Sequence, residues 1–91
     1  MAHLTPEPLA AKLKALSGWT RQGDEIRKTY TLPSFPATIA FVTQVGFLAE
    51  AASHHPDIDI RYTRVTFTLT THDVGGLSAK DVELAAAIDK L

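Results

Sequence analysis

The stretch Ile58-Asp59-Ile60-Arg61-Tyr62-Thr63-Arg64-Val65-Thr66-Phe67-Thr68-Leu69 carries the cleanest period-two pattern in the chain. Ile58, Ile60 and Tyr62 fall on one side of a strand. Val65, Phe67 and Leu69 fall on one side of the next, with Arg64, Thr66, Thr68 and Thr70 opposite. With Tyr62-Thr63 as the turn, Ile60 pairs with Val65 and Ile58 with Phe67, and all four face one core. A slip of one residue would turn the whole set toward solvent, so the register is well specified. An antiparallel hairpin also brings the start of its first strand beside the end of its second. The residues before Ile58 must therefore converge with those after Leu69.

Upstream, the pattern changes to helical. Ser34 to His54 reads as one long helix, ended at about His54 because Pro56 pushes His55 out of the α region. No residue from Thr29 to Ala49 is charged. The strongly apolar part, Ile39 to Ala49, is too short for a membrane span of about 20 residues, so a buried helix is expected and no membrane partner. It carries two apolar stripes, Phe35-Ile39-Val42-Gly46 and Phe41-Val45-Leu48-Ala52. One face can cover the sheet. The second stripe is expected to meet another subunit, giving a homodimer or homotetramer through the 34–54 helix.

Further out, Thr5-Pro6 starts a first helix with the stripe Leu9, Leu13, Leu16, stopped by Gly18. Trp19 to Gln22, the turn Gly23-Asp24 and Glu25 to Leu32 form a first hairpin, with Lys28 interrupting the face of Ile26, Tyr30 and Leu32. Gly75-Gly76 turns the chain into a last helix. Its start is a capping box, Ser78 to Asp81, with Leu77 and Val82 as a hydrophobic staple. That helix is expected to bury Val82, Ala85 and Ile88, with Leu91 in line with them. The order is αββαββα. This predicts an α+β two-layer domain spanning residues 1–91, with a four-stranded, largely antiparallel sheet and helices packed on one face.

Composition narrows the function. The chain has 91 residues and a net charge of −1, so no basic surface recommends nucleic acid as a direct partner. It has no cysteine, which removes disulfides, thiolate metal sites and cysteine nucleophiles. Met1 to Thr5 lacks the charged and apolar regions of a secretory signal, so a cytoplasmic location is expected. Three of the four histidines sit where the hairpin ends converge: His54, His55 and His72. Imidazole titrates near neutral pH and can give or take a proton, or bind a metal. Glu50 lies one turn before His54 and is expected on its face. Lys80 sits in the first turn of the last helix, whose N-terminus favours a polar or anionic ligand edge. The Ser78-Asp81 pair reads as a cap without chemistry. Two enzyme readings stand on the residues alone: proton shuttling in an addition or elimination of water, or zinc binding. Adjacent His-His is a poor spacing for one ion, so no metal is expected.

The motifs Glu50-x-x-x-His54-His55-Pro56-Asp57, Tyr62-x-x-Val65, Leu69-x-Thr71-His72 and Gly76-Leu77-Ser78-x-x-Asp81 resemble the pterin-4a-carbinolamine dehydratase family over nearly the whole chain. The family's animal members double as dimerisation cofactors of a homeodomain transcription factor. The resemblance implies dehydration of 4a-hydroxytetrahydropterin to quinonoid dihydropterin, a hydro-lyase step that recycles the pterin cofactor of aromatic amino-acid hydroxylases. It needs no cofactor of its own. By similarity His54, His55 and His72 are the catalytic set, with His54 and His72 near the leaving hydroxyl and His55 near the N5 edge. Glu50, Ser53, Thr70, Thr71, Asp73 and Lys80 are the implied substrate-binding residues. Ser53 replaces an aspartate of well-known members, Asp57 a glutamate, Ile58 a tryptophan and Lys80 an arginine. The alternative function is a non-catalytic, oligomeric interaction or coactivator protein with a vestigial pterin site.

Overall fold

The computed structural model describes residues 11–71 and 75–91, so the expected start of the first helix at Thr5-Pro6 lies outside them. The chain is helical at 11–14 (α1) and then turns, with Leu13 half-buried and Leu16 buried. Gly18 follows at φ 83°, a left-handed conformation that favours glycine. Strands β1 (Thr20–Gln22) and β2 (Glu25–Thr31) form the first hairpin through the two-residue turn Gly23-Asp24. Helix α2 (Phe35–Ala52) leads into β3 (Asp57–Arg61), β4 (Arg64–Leu69) and helix α3 (Ala79–Asp89). Sheet order is β1-β2-β4-β3, every pair antiparallel. The second hairpin has the expected register, with Ile60 opposite Val65 and Ile58 opposite Phe67.

The core forms between the sheet and the helices. Ile26, Val65, Phe67 and Leu69 from the central strands meet Val45 and Ala49 of α2, Val82, Leu84, Ala85 and Ile88 of α3, and Leu77 just before it. Ile58 and Ile60 share the face of Phe67 and Val65, as the register requires, but stay 41% and 39% exposed. The reason is position: β3 is an edge strand, and the helix layer covers β2 and β4 more fully. Leu91 is also exposed, because α3 ends at Asp89.

Helix α2 corrects two expectations. It ends at Ala52, not His54, because Ser53 takes a left-handed conformation (φ 51°, ψ 41°) and its N–H closes on Ala49 O and Glu50 O. Its start is capped by Ser34, whose Oγ accepts from the Ala37 N–H at 3.2 Å. The stripe expected to face another subunit is the inward one. Val45 is fully buried, and the Phe41 ring packs 5.0 Å from Tyr30 and 5.9 Å from Phe67. Phe35 and Ile39, from the other stripe, remain 46% and 40% exposed. Phe47, outside both, is 74% exposed. The helix is long and apolar enough to cross a membrane by length and composition, yet only 17% of it is buried within the chain.

Lys28, which interrupts the apolar inner face of β2, has a partner there. Its Nζ donates to Asp89 Oδ1 at 2.8 Å and to Ser17 O at 2.6 Å, and lies 4.8 Å above the Tyr30 ring. Asp89 also accepts from Trp19 Nε1 at 3.1 and 3.2 Å and from the Tyr30 hydroxyl. Burial, then the Asp89 hydrogen bond and charge, push the Tyr30 phenol above its usual value. Burial alone would raise Asp89, but hydrogen bonds from Lys28, Tyr30 and Trp19 outweigh it and hold the carboxyl below its usual value. A carboxyl depressed on folding stabilises the fold above its unfolded pKa, and that stabilisation is lost as pH falls through the folded one. Asp89→Asn should therefore lower stability by about 2 kcal/mol at pH 7 in urea unfolding. Its deficit should shrink below about pH 4, near the unfolded pKa of aspartate. An equal deficit at pH 7 and pH 3 would exclude an ionic role for Asp89.

Candidate active site

Three chain segments meet where α2 ends, β4 ends and α3 begins. The left-handed Ser53 separates the two following histidines. His54 turns inward, with its side chain only 11% exposed, and its Nε2 lies 2.5 Å from Asp81 Oδ1. His55 stays outside, 66% exposed, with Nε2 at 2.9 Å from Glu50 Oε1. Glu50 thus serves His55 and not His54, because the helix stops before His54 and the four-residue spacing no longer puts the two on one face.

Asp81 is the residue that sequence reasoning undervalued. It does cap α3, accepting the Ser78 N–H on Oδ2 at 2.9 Å. The same Oδ2 accepts the Thr71 hydroxyl at 2.7 Å, and Thr71 Oγ1 lies 2.7 Å from Ser78 Oγ. Oδ1 is left for His54. Asp81 and Ser78 are fully buried and Thr71 is 5% exposed. No buried side-chain nitrogen or oxygen among the described residues lacks a partner. The capping box was visible in the sequence. That the free carboxylate oxygen aims at a histidine 27 residues earlier was not.

The other expected site residues fall as follows. Thr71 pairs with Gly76 through both backbone bonds, Thr71 N to Gly76 O at 2.9 Å and Gly76 N to Thr71 O at 3.2 Å. Its side chain points into the Asp81 network. Thr70 Oγ1 donates to the Asp24 carbonyl at 2.6 Å, tying the end of β4 to the first hairpin turn. Ser53 is exposed and acts through its backbone. Lys80, in the first turn of α3, lines an open cleft of about 220 Å³ with Leu48, Ala52, Glu83, Leu84 and Ala87. His72 and Asp73 lie outside the described residues. Among the described residues, no group of three or more histidine and carboxylate side chains is arranged to hold a metal ion.

The family model described as Pterin 4 alpha carbinolamine dehydratase matches residues 2–91. A protein of Roseiflexus castenholzii, provisionally named a pterin-4-alpha-carbinolamine dehydratase, is 61% identical over 99% of this chain and 97% of its own length. A crystal structure of a transcriptional coactivator/pterin dehydratase from Brucella melitensis superposes with TM-score 0.93 at 28% identity, covering 98% of this chain and 97% of that one. A pterin dehydratase-like protein described as a RuBisCO assembly factor in the alpha-carboxysome matches at TM-score 0.66 and 25% identity, over 79% of this chain and 83% of that one. The match spans the converging segments as well as the fold, and the chain belongs to the pterin-4-alpha-carbinolamine dehydratase family of lyases.

Proposed function

We propose that this chain dehydrates a 4a-hydroxytetrahydropterin by histidine general acid/base catalysis. The observation that carries the reading is the pair of adjacent imidazoles, each held by its own carboxylate: His54 by Asp81 and His55 by Glu50. In the reaction the C4a–O bond breaks, the leaving hydroxyl takes a proton and departs as water, and N5 gives up a proton. The products are quinonoid dihydropterin and water. A protonated imidazole supplies the first proton and a neutral one accepts the second. His54 and His72 serve the leaving hydroxyl and His55 the N5 edge, where its exposure leaves it open to a ligand. Asp73 and Lys80 are assigned to binding the pterin.

Each of His54→Ala, His55→Ala and His72→Ala should fold and lose roughly 10²- to 10⁴-fold in dehydration rate, measured on freshly generated 4a-hydroxytetrahydropterin. Near-native turnover by the double variant of His54 and His72 would refute the proton shuttle.

The uncovered face of α2 supports a homodimer or homotetramer. Phe35, Ile39 and Phe47 lie on it, and the Phe35 ring stacks on Tyr62 at 6.3 Å, joining the helix to the exposed hairpin turn of β3 and β4. Apolar surface of this kind on a 91-residue chain is best buried against another copy. Light scattering should show an assembly that Ile39→Asp or Phe47→Asp dissociates into folded subunits. Val45→Asp should instead unfold the subunit, because Val45 lies inside it. A wild-type monomer at high concentration would remove this part of the proposal. The alternative, a non-catalytic interaction protein, draws support from the same apolar face and from the assembly-factor description of the RuBisCO-associated neighbour. Absence of any pterin turnover by the wild type would favour it.

A further inference from the structure

We propose that Thr71 and Ser78 are positioning residues that fix which nitrogen of His54 exchanges protons with substrate. Asp81 is the common partner. Its Oδ2 accepts the Ser78 backbone N–H at 2.9 Å, and a backbone N–H can only donate. The Thr71 hydroxyl adds a second donor at 2.7 Å. A hydroxyl has one proton. Thr71, having given its own to Asp81, must accept from Ser78 Oγ at 2.7 Å. The bonds therefore run in one direction, from the Ser78 hydroxyl to Thr71 and from Thr71 to the carboxylate. Burial enforces this order. Ser78 and Asp81 are fully buried and Thr71 is 5% exposed, so water is not at hand to replace a reversed bond.

With Oδ2 occupied by two donors, Oδ1 accepts from His54 Nε2 at 2.5 Å. Nε2 then carries its proton in both charge states of the ring. Among the described residues nothing bonds Nδ1. It is the nitrogen whose proton comes and goes, and hence the one that meets the reacting group. The Thr71 hydroxyl is engaged inside this network by Asp81 and Ser78. The Thr71 backbone, paired on both sides with Gly76, holds the hydroxyl in place.

The inference rests on the dehydratase reading for its kinetic consequence, and its first test is independent of turnover. Long-range ¹H–¹⁵N correlation spectra of the labelled protein, recorded at alkaline pH where the ¹⁵N shifts report the neutral ring, should show His54 as the Nε2–H tautomer. Thr71→Val removes one of the two donors that orient the carboxylate through Oδ2; a carboxylate free to rotate no longer holds Oδ1 on Nε2, and His54 should move toward a mixture of tautomers. The substitution should also lower kcat roughly 10-fold with KM nearly unchanged, the loss of one hydrogen bond to a charged group. Thr71→Ser should restore both. Ser78→Ala, which keeps the backbone donor to Asp81, gives the same readout in a smaller degree if Thr71→Val fails to fold. A wild-type His54 protonated on Nδ1, or a Thr71→Val protein with native tautomer and native kcat, would overturn the inference. So would a rise in KM alone, which would make Thr71 a substrate contact. If the wild type does not turn over the pterin, the dehydratase reading fails, while the tautomer comparison still decides the role of Thr71.

Discussion

A carboxylate with no exposure to water organises the candidate site. Burying an ionised carboxyl costs several kcal/mol unless its oxygens find donors. Asp81 finds them in Ser78 N, Thr71 Oγ1 and His54 Nε2. One acceptor thereby holds the start of α3, the end of β4 and the residue that leaves α2. A shift of any of these elements would leave a buried charge short of a partner, so their relative positions are tightly coupled. The neighbouring His55 lies under a different constraint. Its side chain is 66% exposed and that of Glu50 82%, and exposed pairs of this kind are worth little. One imidazole is fixed by burial, and the other can turn toward a ligand at small cost.

The same device recurs at the far end of α3. Asp89, its last residue, gathers Trp19 from the chain before β1 with Lys28 and Tyr30 from β2. Helix α3 is thus pinned at both ends by acids that face inward, while Val82, Ala85 and Ile88 fill the space between. This accounts for a lysine on the inner face of a strand. Lys28 lies under α3 because Asp89 neutralises it there and Ser17 O accepts another of its protons.

Helix α2 sits at the other extreme. Among its residues only Thr38, Val45 and Ala49 are buried, and its sole charged residue is Glu50 in the last turn. The small sheet gives it one surface to rest on. The rest of its apolar circumference, with Ile58 and Ile60 of the edge strand, lies open in a single chain. The site and the open face are joined through this helix, since the residues that end it also deliver His54 and His55.

Local chemistry settled much of this in advance. Period-two alternation and the turn Tyr62-Thr63 determined the second hairpin's register, and hence the convergence of His54 with Thr71, because a one-residue slip would expose Val65, Phe67 and Leu69. The Gly23-Asp24 turn and the Ser78 capping box were legible for the same reason: each depends on residues within a few positions of one another. The family resemblance rested on motifs at the second hairpin and the start of the last helix, and the fold persists in the Brucella melitensis protein at 28% identity. Periodicity could not choose which stripe of α2 faces inward, since both are apolar. The sheet chose it by placing Tyr30 and Phe67 beneath Phe41. Pro56 marked the helix end only approximately, and the left-handed Ser53 moved it to Ala52 and gave Glu50 to His55. Neither the second role of Asp81 nor the partner of Lys28 could be read from the chain. Both are contacts between residues 27 and 61 positions apart, and such pairs are decided by how layers pack, not by local pattern.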